Sequence, residues 1–392
     1  MGRRVAPPII RRRATLLVSG LLALVTAGAM LNVTANAAEE SADDPQTLAC
    51  GDGSYNAEVV QDGSTWTAPG YSGDSMPEAI RAGIASLSEG RTSIESVVVR
   101  GSGDIGSEDS IDIPSYTSIE VCGTINVVGS IGSEAAPLRM VGVNDVAVPY
   151  LEGMTGSPYF GIFVRNASNV HLGEINMNLS GGLGIRIDNH DDTSWRTNNV
   201  ALDTINISGA GSHAVETYGV DGLTVGTVTA TDVGESGLLI QDTYNAEIGS
   251  VIGENVAAGT GYATFRMANR NGALNNYETN IHVGEVVARG GGRGIFCVSE
   301  SGGAVIDRVD ISDTGNNAIL IENCYNVTIA SEGGTIAGGG EVRLAARDEF
   351  ANNRDITLSN FTLIDSALTE NPCGENITIS NVTFENSADN SC

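Results

Sequence analysis

Three acidic residues, Asp188, Glu216 and Asp242, each close a short apolar segment: "GIRIDN" from Gly184, "AVETYG" from Ala214 and "GLLIQD" from Gly237. In an extended chain the second and fourth residues of such a segment face one way and the third and fifth the other. The apolar set would turn inward, leaving Arg186 with Asp188, Glu216 with Tyr218, and Gln241 with Asp242 just beyond, on an outer face. Two carboxyl groups flanking one bond are what glycoside hydrolysis needs, one as proton donor and one to activate water or attack. Crowded carboxylates raise the pKa of one member, which suits the donor. Asp188, Glu216 and Asp242 are therefore the candidate catalytic set.

Related segments, "GIFVRN" from Gly161, "GIFCVSE" from Gly294 and "AILIEN" from Ala318, add Arg165, Glu300 and Glu322. "ATFRMAN" from Ala263 allows two registers. The one that buries Phe265 and Met267 turns Arg266 outward and brings Asn269 and Arg270 after it. With His213 these residues form the candidate sugar-binding surface. The stretch after Asp188 adds His190, Asp191, Asp192 and Trp195, a loop able to wall a groove, with an indole that can stack on a sugar ring. Arginines on a very acidic chain favour an anionic, uronate-bearing ligand.

The same residues admit a second chemistry. β-Elimination from a uronate needs its carboxylate neutralised and a base at the adjacent carbon. Asp188, Asp191, Asp192 and Asp242 are hard oxygen donors of the kind calcium takes. Arg186 or Arg266 would lie near the sugar, and Tyr218 or His213 is a candidate base. Hydrolysis without a cofactor is the favoured reading, and calcium enters only with elimination. A third reading is a non-catalytic carbohydrate-binding or adhesive surface.

These residues need a scaffold that repeats. Nine segments share a pattern of Asn, Asp or Gly, apolar, any, apolar, often followed by Gly or Ser. They begin at Asn169, Asn199, Gly222, Asn245, Asn280, Gly303, Asn326, Asp355 and Asn376. The commonest step is 23 residues, with longer steps where loops are inserted. Alternation within each step is that of strands, and Gly and Asn crowd the turns, where positive φ is needed. Leucine-rich repeats need a Leu-x-x-Leu-x-Leu skeleton that is absent. The expected fold is all-β, a single right-handed parallel β-helix over residues 50–392. An amphipathic helix over about 75–88 would cap it, with Ser75 and Glu78 as a capping box and Ile80, Ile84 and Leu87 on one face.

Composition narrows the partners. All 20 basic residues are Arg, against 48 Asp plus Glu. Residues 1–37 read as a signal peptide, with an Arg-rich start, an apolar run and the small-x-small "ANA" ending at Ala37. An acidic linker, 38–49, follows. Cleavage would remove five Arg and no acid, leaving a formal charge of −33. Such a chain lacks the basic footprint of a nucleic-acid binder. A secreted protein without stable membrane association is expected, its oligomeric state left open. Six cysteines in an exported chain suggest disulfides, most simply Cys50–Cys122, Cys297–Cys324 and Cys373–Cys392.

The helix, then "SVVVRGSGDI" and "IDIPSYTSIEVCGTI", resembles the opening of the pectin-lyase-like β-helix superfamily, which includes pectate lyases, polygalacturonases and rhamnogalacturonases. The resemblance is architectural and spans nearly the whole chain after residue 37. It implies cleavage of an extracellular polysaccharide on one elongated sheet, although fold does not fix function. The polygalacturonase motifs, Asn-Thr-Asp, Asp-Asp, Gly-His-Gly and Arg-Ile-Lys, are missing. Their places hold Leu183, Ser212–His213 and Glu235–Ser236, and the chain has no Lys. Catalytic residues are thus not carried over from that branch.

Overall fold

The structure, a computed structural model, describes residues 50–129, 134–189 and 196–392. The expected signal peptide and acidic linker lie outside those residues, as do His190, Asp191, Asp192 and Trp195.

Successive coils pair in parallel and in register. The first apolar residue of each repeat partners the next: Val170, Val200, Leu223, Ala246, Ile281, Ala304, Val327, Ile356 and Ile377 form one continuous ladder. Every spacing in the sequence pattern is thus one turn of a parallel β-helix. Long strands such as Ser168–Leu179 build an 18-stranded sheet, and short ones such as Leu183–Asp188 build a 12-stranded sheet. Ile, Val and Leu from both sheets fill a single core that runs the length of the stack.

The repeat's signature residues have distinct jobs. Its leading position takes positive φ: Asn169, Asn199, Asn245, Asn326, Asp355 and Asn376 lie between 51° and 56°. Asn tolerates that region, and its amide can bond up the stack. Asn199 Nδ2 donates to Asn169 Oδ1 at 3.0 Å, and Asn169 Nδ2 to Asp145 Oδ1 at 3.0 Å. The glycine after the second apolar residue sits where coils press together. At Gly226 a Cβ would lie 2.3 Å from the Asp203 carbonyl oxygen.

The cap helix spans Met76–Ala85, ending before the expected boundary. The Ser75 side chain accepts from the Glu78 N–H at 3.4 Å, while the Glu78 carboxylate turns to Arg81 instead of closing the box. Ile80, Ile84 and Leu87 are buried as expected. The array begins earlier than "SVVVRGSGDI": Ala57–Asp62 already pairs in parallel with Glu95–Arg100. The disulfides join Cys50 to Cys122, Cys297 to Cys324 and Cys373 to Cys392. No helix among the described residues is long and apolar enough to cross a membrane.

Candidate functional site

The short-strand sheet arranges its outer face in rows. Ile185 and Ile187 are buried on the inner side. The alternate positions give a row in which Phe163 partners Arg186, Arg186 partners Glu216, Glu216 partners Leu239, Leu239 partners Arg266 and Arg266 partners Phe296. Two positions on, Arg165 partners Asp188 and Tyr218 partners Gln241. Phe265 and Met267 are fully buried, which fixes the register that turns Arg266 outward. In that coil Leu238 partners Phe265, so the alignment on Ala263 slips by one residue.

Neighbours in these rows are about 4.8 Å apart, close enough for side chains to join across coils. Arg165 grips Asp188 with both carboxylate oxygens engaged, Nε to Oδ1 at 2.6 Å and Nη2 to Oδ2 at 2.8 Å. Arg186 Nε reaches Asp188 Oδ2 at 3.0 Å, and its Nη1 reaches Glu216 Oε2 at 2.5 Å. Gln241 Nε2 donates to the other Glu216 oxygen at 2.5 Å, and Asn269 Nδ2 donates to Gln241 Oε1. The result is a polar relay from Arg165 to Asn269 across the sheet.

The relay sets the charge state of Asp188. Burial alone would raise its carboxyl, but the hydrogen bonds and charges of Arg165 and Arg186 outweigh that and hold it below the ordinary range. A carboxylate that is 1% exposed and held ionised by two guanidinium groups is a poor proton donor. It bonds both arginines.

The expected residues separate into two clefts. Arg165, Arg186, Asp188 and Glu216 line one of about 430 Å³, shared with Tyr159, Phe160 and Ser212. Tyr218, Asp242, Asn269, Arg270 and Glu300 line another of about 870 Å³ with Arg196, Tyr244 and Phe350. Asp242 therefore does not join Asp188 and Glu216. It sits at a turn with φ 43°, accepting from Arg196 Nη2 at 3.2 Å and from the Tyr244 hydroxyl at 3.1 Å. Gln241 lies between the clefts as part of the relay. Glu322 stands farther along the stack, paired with Arg347 at 2.7 Å. Asp188 and Asp242, the described half of the calcium set, line different clefts, and Asp188 is already held by arginine. Among the described residues the one grouping of His, Cys, Asp and Glu with metal-like spacing is Cys50, Glu120 and Cys122, whose sulfurs form a disulfide.

His213, on a turn that leads into the sheet, and Arg266, on the strand Phe265–Ala268, belong to a further cluster. The His213 Nδ1 accepts from the Ser236 backbone N–H at 3.0 Å. That assigns the ring proton to Nε2, which lies 3.1 Å from Glu235 Oε2. Burial, with the charges of Arg266 and Arg186, pushes His213 down to about 3, so the ring is neutral. Ser212 Oγ donates to the same Glu235 oxygen at 2.6 Å. The Arg266 guanidinium lies 4.6 Å from the centre of the Tyr262 ring and 5.2 Å from that of Phe296. Burial lowers its pKa, and its Nε is buried with no hydrogen-bond partner. Ser212 lines the smaller cleft and also holds Glu235, which joins the cluster to that cleft through one residue.

Sequence reasoning passed over Tyr262 and weighed Glu235 only as a departure from the polygalacturonase motifs. Both lie in turns, where strand periodicity is silent. A usable signal existed: "GSH" and "GES" hold Ser212 and Glu235 one 23-residue step apart.

The fold and these clefts define a parallel β-helix protein with a charged, partly aromatic outer face on its short-strand sheet. No family model matches the chain, and no curated protein matches it. Among solved structures, the A-module of the mannuronan C-5 epimerase AlgE6 from Azotobacter vinelandii is similar at 12% identity and a TM-score of 0.39, covering 80% of this chain and 94% of that one. At that identity it assigns no role to any residue here.

Proposed function

We propose that the protein is a secreted enzyme acting on a uronate-bearing polysaccharide laid along the short-strand sheet, and that it cleaves by β-elimination. The observation that carries this is Arg266. Its guanidinium lies beside two aromatic rings; Tyr262 takes one of its hydrogen bonds, while its buried Nε–H has no hydrogen-bond partner. A planar guanidinium suits a uronate carboxylate, and partial burial strengthens the contact. Neutralising that carboxylate is the first requirement for removing the proton beside it. Three disulfides fit an oxidising compartment.

Hydrolysis is the second reading, favoured by one observation: Asp188 and Glu216 come from adjacent coils and line a single cleft. In that reading Asp188, held ionised, would be the base or nucleophile and the donor would have to be Glu216.

Product analysis on acidic and neutral polysaccharides separates the readings. Unsaturated uronate, detected by its ultraviolet absorbance, would support elimination. New reducing ends without that absorbance would replace it with hydrolysis. Binding with neither product would leave an adhesive surface. Repeating the assay with a chelator tests calcium.

A further inference from the structure

We propose that Glu235 is the catalytic base, and that His213 and Ser212 are positioning residues that hold it. This rests on the elimination reading and adds its missing proton acceptor.

Three acids line the smaller cleft, and a fourth, Glu235, is bonded to its Ser212. Glu134, Asp188 and Glu216 each lie within ion-pair distance of an arginine. Glu235 instead meets a serine hydroxyl and a neutral imidazole. A base needs a lone pair not already committed to a cation, and among these four Glu235 meets that condition.

Its orientation is fixed from behind. Ser212 Oγ–H donates to Oε2 and His213 Nε2 stands 3.1 Å from that same oxygen, which leaves Oε1 as the oxygen to face a substrate. The imidazole is itself fixed. Its Nδ1 is held by the Ser236 N–H, and its ring packs edge-on to Tyr262 with centroids 5.3 Å apart. His213 cannot serve as the base, because one ring nitrogen has its lone pair committed and the other carries the proton. Locking a catalytic carboxylate through neighbours that are themselves locked is how a reacting atom is kept in place. The Glu235 side chain is 30% exposed, and its partner Ser212 lines the cleft.

The step balances without a further reactant. Glu235 takes the proton at C5 of the uronate while Arg266 holds the carboxylate. The C–H electron pair becomes the C4=C5 double bond as the C4–O bond breaks. The departing oxygen takes a proton from water, and Glu235 then returns its own proton to solvent.

The experiment uses the full chain on whichever uronate polymer yields unsaturated product. Glu235→Ala is expected to lower kcat by roughly 100-fold or more, with KM changed less than about twofold because the residue acts only in the proton transfer. Added formate should restore part of the rate, since a small carboxylate can enter the space left. His213→Gln, which can still accept from Ser236 and donate toward Glu235, should keep most of the activity that His213→Phe loses. Glu235→Gln serves if the alanine variant folds poorly. A folded Glu235 variant with near-normal kcat, or a folded Glu235→Ala whose loss formate does not repair, overturns the proposal and leaves the elimination reading standing. A wild-type protein that gives no unsaturated product from any uronate polymer overturns the elimination reading, and this assignment with it.

Discussion

Arg186 stands in register with Glu216 on the next coil and reaches back to Asp188 on its own strand, so one guanidinium ties two carboxylates together. The tie joins both carboxylates through one shared cation. Removing a member strands charge in a poorly hydrated place. Asp188→Asn would leave Arg165 and Arg186 facing an amide and should cost about 3 kcal/mol. A shift in the denaturation midpoint measures it, and an unchanged midpoint would show the pairs to be idle.

The same carboxyl makes a signed prediction for pH. Its folded pKa is depressed, so its contribution is complete above the unfolded value of about 3.9 and is lost as pH falls through the lower folded value. His213 acts over a different window. Its folded value of about 3 lies below the unfolded value of about 6.5. Between those limits the unfolded chain binds a proton that the native ring refuses, so stability declines as pH falls from about 6.5 towards 3. Melting curves at intervals through that range should show the decline, and His213→Gln should flatten it while leaving the more acidic loss from Asp188.

Arg266 should separate stability from function. A buried guanidinium with an unpartnered N–H is costly to keep, and apolar replacements of such groups are often neutral or stabilising. Arg266→Met is expected to melt at or above the wild-type temperature and to lose activity on uronate polymers by about 100-fold. A variant that loses both together would mark Arg266 as structural.

Gly182 tests how closely the coils approach beside the smaller cleft. Its φ is +74°, and a Cβ there would lie 1.6 Å from the Pro158 carbonyl oxygen. Gly182→Ala should destabilise by about 1–3 kcal/mol or displace the turn, read as a lower melting temperature. A melting temperature equal to wild type would show that the turn relaxes freely.

The disulfides predict a graded response to reduction. Cys50–Cys122 spans 72 residues and Cys373–Cys392 spans 19. On loop entropy alone these correspond to about 4 and about 3 kcal/mol. Cys122→Ala should lower stability more than Cys392→Ala, and the reverse order would mean that local packing dominates over loop length.

The scaffold was more legible in the sequence than its chemistry. Asn and Gly at fixed steps reflect local backbone needs, positive φ at a corner and close approach between coils, so residues such as Asn169 and Gly226 announced the coil length and the inward set. The outward row was readable for the same reason, since Ile185 and Ile187 fix which way Arg186 must point. What the pattern could not hold was which outward acids are consumed by neighbours. That depends on the reach of Arg165 and Arg186 across coils, which pairs Asp188 with both arginines. Asp242 fell out of the set because it belongs to a turn, whose course periodicity does not describe. Glu235 remained outside it for the same reason.

The two ends of the stack are unlike. The first coils lie under a helix, while the strands Glu375–Ser380, Thr383–Glu385 and Ala388–Asn390 have a coil on one side and, among the described residues, no strand pairing on the other. Each inner coil answers mainly to its two neighbours, so loss of order should travel like an opening zipper, starting at the C-terminal end. The Cys373–Cys392 bond then acts as the zipper's stop, and hydrogen exchange after its reduction should advance coil by coil toward the clefts.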